Sequence, residues 1–119
     1  MCVLAHTDVP EYAAVLREIA RVLRPGGRFV HVGVHPCFIG PFADWSGAPR
    51  IAVDQRYTDR AFTYDAWNPA RVRARVGGWH VPLADLLNAT LAAGLRPVRT
   101  AEAGPPGVPD LFGYLAVKP

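Results

Sequence analysis

Residues 16–34, Leu-Arg-Glu-Ile-Ala-Arg-Val-Leu-Arg-Pro-Gly-Gly-Arg-Phe-Val-His-Val-Gly-Val, constrain the fold more than any other stretch, because they encode a helix, its end and a following strand without a gap. Tyr12, Val15, Leu16, Ile19, Val22 and Leu23 recur at helical spacing and form one apolar stripe, while Arg17, Glu18, Arg21 and Arg24 fall on other faces. Asp8 with Glu11 three residues later reads as a capping box, Pro10 suits a first turn, and Arg21 and Arg24 sit near the negative end of the helix dipole. Pro25 cannot continue the helix, and Gly26 or Gly27 can take the left-handed conformation that closes it. The chain then turns into Phe29–Val34, an apolar run that reads as a strand buried on both faces, as parallel strands are.

Around that unit the chain divides into three textures within one domain. Residues 1–35 hold a strand remnant at Cys2-Val-Leu-Ala5, the helix and the strand. Residues 36–81 are rich in Pro, Gly, Trp, Tyr and Arg and show no sustained helical period, although Arg71–Val76 alternates like an edge strand. Residues 82–119 are regular again. Pro82 suits a first turn, Leu83, Leu86, Leu87 and Leu91 make a helical stripe, and Gly94 ends it. Leu95–Ala101 and Leu111–Val117 then read as two strands joined by a stiff Pro-rich linker.

At 119 residues, half of them apolar, the chain is long enough for one domain with a core of its own. Its net charge of +3 comes from dispersed Arg, with no basic block and no interleaved aromatic motif, which argues against a nucleic-acid partner. Cys2 and Cys37 have neither metal nor redox spacing, so a reduced, cytoplasmic setting is expected, with no metal. No run is long and apolar enough for a membrane span, and no leader pattern opens the chain, so no membrane is expected.

Leu16–Gly27 followed by a strand resembles the Leu-x-Glu-x-x-Arg-Val-Leu-(Lys/Arg)-Pro-Gly-Gly segment in the second half of class I S-adenosylmethionine-dependent methyltransferases. Ala92-Ala-Gly-Leu95 before a strand is a weaker supporting signal, shared with many α/β proteins. The resemblance implies an α/β fold, the second half of a Rossmann-like sheet, mostly parallel with an antiparallel C-terminal strand. It implies a single partial domain in which residues 36–81 form a substrate lid. The glycine-rich loop of the family's first strand and the acidic residue ending its second are not in this sequence, and neither Gly26-Gly27 nor Gly77-Gly78 has the strand, loop and helix order through which such a loop works. The expectation is therefore a half-fold, inactive alone, that forms a homodimer or takes a second chain supplying the N-terminal half.

The chemistry the resemblance implies is in-line displacement of a sulfonium methyl group onto a small-molecule acceptor. Positioning supplies most of the rate, and a base helps only where the acceptor must lose a proton. Ligands of open α/β sheets sit beyond the carboxyl ends of the strands. That rule, with the resemblance, puts Leu4, Ala5 and His6 by S-adenosylmethionine, and makes His35 the candidate general base facing the acceptor. Phe38, Trp79 and His80 become candidate acceptor contacts. Phe42, Trp45, Tyr57, Phe62, Tyr64 and Trp67 serve equally as a lid or as the insert's own core, and Arg71, Arg73 and Arg75 as an anion site or a solvated face. His31, inside a strand, reads as a structural histidine. The alternative reading is a non-catalytic interaction or regulatory module on the same fold remnant.

Overall fold

The structure is a computed structural model, and it describes residues 1–64 and 72–119. One four-stranded sheet organises the chain. Strand β1 (Cys2–Val3) leads into helix α1 (Tyr12–Val22), and strand β2 (Arg28–Val34) follows. Short strands β3 (Ala43–Asp44), β4 (Ala52–Val53), β5 (Phe62–Thr63) and β6 (Gly78–Trp79) lie between β2 and the second long helix, with helix α2 (Val72–Val76) among them. Helix α3 (Leu83–Ala92), strand β7 (Arg96–Ala103) and strand β8 (Leu111–Val117) complete the order. The sheet runs β1-β2-β8-β7. β1 pairs with β2 in parallel, whereas β8 runs antiparallel to both β2 and β7, so three strands point one way and the C-terminal strand is inserted between two of them in reverse.

The expected antiparallel C-terminal strand is found, with the other three strands of this sheet co-directional. What is corrected is the number of parallel ladders, one against two antiparallel within this sheet, because the last strand enters between β2 and β7. The expected double-sided burial of β2 is corrected as well. Phe29, His31 and Gly33 are buried while Val30, Val32 and Val34 are only half-buried, which is the alternation of a sheet covered on one face. Helices α1 and α3 pack side by side on the covered face. Two successive connections that step the same way across a sheet put their helices on one side. Tyr12, Leu16 and Ala20 of α1 meet Leu86 of α3, Leu95, and Phe29, Phe112, Tyr114 and Ala116 of the sheet in one apolar core.

The ends of α1 differ from expectation in an instructive way. Glu11 is the N-cap residue and makes no side-chain cap bond, so Asp8 and Glu11 form no capping box and Pro10 lies outside the helix. Val22 is exposed, because the buried stripe follows Tyr12, Leu16 and Ala20 and leaves Val22 on the flank. At the other end Gly26 has φ +80° and gives its N–H to the carbonyl of Lys118, whose own N–H returns to Gly27. The Lys118 ammonium donates to the carbonyls of Ala20 at 2.6 Å and Leu23 at 2.7 Å, two of the acceptors a helix end leaves without intrahelical partners. The last turn of α1 is therefore tied to the far end of the sequence.

In the insert, residues 72–76 are helical where alternation suggested an edge strand; the ladder partner of β5 is instead β6. Trp67 and Arg71 lie outside the described residues, and so does the side chain of Arg73; Arg75 is exposed. On α3, Leu86 and Thr90 are the buried positions and Leu91 is exposed, so the stripe is rotated from Leu83, Leu86, Leu87 and Leu91. Gly94, φ +83°, closes that helix as its sequence position indicates.

Candidate functional site

The carboxyl ends of β1 and β2 lie side by side, and the segments leaving them are fixed by backbone bonds. Leu4 donates its N–H to Val32 at 2.7 Å and holds φ +56°, a left-handed backbone that a leucine adopts only under constraint. Its side chain is 48% exposed, so this constrained residue faces outward at the edge where ligands of such sheets sit. Ala5 accepts the N–H of Asp8, and Thr7 accepts the N–H of Trp79 at 2.8 Å, which ties the β5–β6 ribbon to the loop after β1. His6 is buried, its ring 6.0 Å from Tyr12 and 5.0 Å from His31. Gly33 makes room for it: a Cβ there would meet the His6 ring at 2.4 Å.

His35 is buried at the end of β2, and both ring nitrogens are engaged. Nδ1 accepts the N–H of Cys37 at 3.1 Å, so the proton is on Nε2, which donates to Glu102 Oε1 at 2.6 Å. The ring also lies against Phe38 at 4.7 Å and Phe112 at 5.6 Å. With both nitrogens engaged, His35 has no free lone pair for a methyl acceptor. Glu102, sixty-seven residues away on β7, gave no sequence signal for this pairing. Phe38 is half-buried on His35 and its carbonyl accepts the Trp45 indole N–H at 2.7 Å.

His6, Trp79 and His80 converge. With Thr7, Val34, Pro36, Ile39 and Val81 they line a cleft beyond the end of β2, and His35 and Phe38 are not among its lining residues. The cleft is tight, leaving about 20 Å³ for a water-sized molecule, room for about one water. Behind the segment 79–81 lies a roomier cavity of about 320 Å³ between the first turns of α1 and α3. Trp79, His80 and Val81 are therefore a wall shared by both spaces.

His80 is held by Tyr57. Its Nε2 donates to the Tyr57 carbonyl at 2.6 Å, and the ring lies 4.7 Å from Phe42 and 5.4 Å from Tyr57. With the proton fixed on Nε2, Nδ1 carries the lone pair. Burial lowers the His80 pKa below the ordinary imidazole value, the Tyr57 carbonyl opposing the shift. Neutral His80 is thus the favoured form. The Tyr57 hydroxyl accepts the N–H of Leu83 at 3.0 Å and so caps α3, while burial pushes its own pKa up. Tyr57 is the residue that sequence reading undervalued: it belongs to the aromatic set, yet its role is to join the insert to α3. Phe42, Tyr57 and His80 form a small core for the insert, whereas Phe62 and Tyr64 are exposed.

Among the described residues, no group of three or more His, Cys, Asp or Glu side chains is arranged to hold a metal, and no helix is long and apolar enough to cross a membrane. No protein-family model and no curated protein sequence matches the chain. Solved structures do. An S-adenosylmethionine-dependent methyltransferase from Mesorhizobium loti superposes with a TM-score of 0.78 at 22% identity over 97% of this chain. A protein from Listeria monocytogenes assigned to the same class gives 0.77 at 16% identity over 98%. The likeness is one of fold, and this chain spans 59% of the length of each of those chains.

Proposed function

We propose that the chain is the C-terminal, acceptor-binding portion of an S-adenosylmethionine-dependent methyltransferase that acts on a small molecule, and that it is inactive by itself. The observation that carries this reading is the sheet order with a reversed strand between two co-directional ones, in a fold that superposes on two proteins of that class. The surfaces left uncovered agree with a missing complement. Val3 on the edge strand, Leu4 just after it, Val22 on the flank of α1 and Val98 on β7 are all exposed apolar groups, which a neighbouring strand and helices would cover.

The residues fit one wall of a cofactor site. Leu4 and Ala5 offer an apolar edge against which adenosine and the methionine chain would lie, with His6 behind them; no glycine loop for close approach is in the sequence, so no reaction step is derived through the cofactor. When bound, the cofactor supplies an electrophilic methyl group. In this reading His80, neutral and with Nδ1 carrying the lone pair, takes the role of proton acceptor toward the acceptor molecule, and Trp79 shapes the pocket. His35 becomes a positioning residue that fixes the start of the insert through Cys37 and Glu102, with the Phe38 ring tilted against it. The tight cleft, with space for about one water, favours a second reading: a non-catalytic interaction module.

Titration calorimetry of the folded chain with S-adenosylmethionine and S-adenosylhomocysteine separates these. The expected result is no saturable binding by the chain alone, and micromolar binding by a chimera carrying the part of the Mesorhizobium loti chain that this chain does not span. A folded chimera that binds neither compound would overturn the methyltransferase reading in favour of the non-catalytic one. Binding by the chain alone would overturn the claim that it needs a complement.

A further inference from the structure

We infer that the sheet face turned away from α1 and α3 is a docking surface for an amphipathic helix whose apolar stripe is flanked by carboxylates. The ladder register sorts the side chains. Phe29, Phe112 and Tyr114 join the core under the helices, so their neighbours along β2 and β8 point the other way. On that face Val30, Val32 and Val34 stand opposite Leu115, Gly113 and Leu111. Gly113 and its β7 partner Ala101 leave a hollow of about 190 Å³ among them, a seat for one bulky apolar side chain. A Cβ on Gly113 would stand 2.9 Å from the His31 carbonyl, so the backbone itself keeps the hollow open. The charges gather at one end. Arg28 and Arg96 both flank Val117, and Arg99 flanks Leu115, all on this face. No ion pair among the described residues holds any of the three, and Glu102 pairs with Phe112 on the helix side, where it engages His35. The opposing charges at that end are smaller. The ends of α1 and α3 supply about half a negative charge each and the Pro119 carboxylate one more; with Lys118 counted, the end stays positive by about two charges. A second copy does not suit this face. Its arginines would meet these arginines or the apolar end at Val34 and Leu111, with no carboxylate to receive them.

The inference does not rest on methyl transfer: the surface selects a helix by its chemistry alone. The test is titration of the chain with an end-capped peptide about five helical turns long, bearing a leucine stripe flanked by glutamates. Its twin carries lysine for every glutamate, and a scramble of the first keeps the composition without the stripe. The glutamate peptide is expected to bind saturably, and more weakly as salt is raised, whereas the lysine twin and the scramble do not bind. Arg99→Gln is expected to weaken the glutamate peptide about twofold to fivefold, the scale of one exposed ion pair. Ala101→Gln, which fills the hollow, weakens it as well, and Arg17→Gln, on α1 and away from this face, leaves it unchanged. Equal binding of the lysine twin or the scramble, no binding of the glutamate peptide by the folded chain, or equal effects of Arg99→Gln and Arg17→Gln would overturn the assignment. Binding to phosphatidylglycerol vesicles in place of the peptide, or self-association abolished by Ala101→Gln, would overturn it too. Peptide binding with no cofactor binding by the chimera would keep the surface and sink the methyl-transfer reading; the reverse pattern would do the opposite.

Discussion

His31 stands on β2 where an apolar residue would ordinarily face the helices, and it is almost fully buried. Its Nδ1 shares a hydrogen bond with the Tyr12 hydroxyl at 2.9 Å and its ring stacks on Tyr114 at 4.9 Å, while Nε2 has no hydrogen-bond partner among the described residues. The structural role read from sequence is therefore half satisfied, and burial lowers its pKa to about 4 from 6.5. Between those two values the unfolded chain binds more protons than the folded one. Stability is full above about pH 6.5 and falls as the pH drops toward 4, by up to roughly 3 kcal/mol. Burial shifts His80 the same way, so the two histidines reinforce one another. Urea midpoints at pH 7.5 and pH 4.5 test this: the lower pH should give the lower midpoint, with a smaller difference in a His31→Gln variant. Equal midpoints in the native sequence would refute the account.

At the scale of elements, α1 was the most legible feature of the sequence and its ends the least. The apolar spacing gave the helix and the Pro-Gly-Gly turn its stop, because both depend on residues within a few positions of one another. What holds the last turn is Lys118, ninety-eight residues beyond Ala20, and no local pattern could have indicated it. Lys118→Met is expected to cost about 1–2 kcal/mol, since two helix-end carbonyls lose a charged donor. The loss should appear in urea unfolding, and hydrogen exchange should quicken for amides in the last turn of α1. Unchanged stability would mean that water serves those carbonyls equally well.

On the scale of the molecule, the two helices cover one face and leave the other bare, and β1 closes the sheet with an unpaired edge among the described residues. Val3 is 53% exposed on that edge. Exposed backbone donors and acceptors flanked by apolar side chains template strand addition. The chain alone should therefore associate as its concentration rises, and Val3→Lys should reduce association without changing the far-ultraviolet circular dichroism. Light scattering showing a monomer at every concentration would count against an open edge that needs covering. Of this arrangement, the helices on one face were predictable from crossover handedness, and the reversed entry of β8 between β2 and β7 was not.

The sequence by itself determined the helix–turn–strand unit, the last helix with its glycine stop and the two final strands, since each follows from short-range periodicity and turn chemistry. Tertiary structure decided what the candidate site residues can do. It took both nitrogens of His35 into bonds with Glu102 and Cys37, and it left His80 with its proton fixed by Tyr57 and its lone pair on Nδ1. It also opened a cavity on the helix side of residues 79–81, at a junction of α1, α3 and the insert. Hydrogen-bond partners and cavities are made by segments far apart in the chain, so they exist only once those segments are packed together.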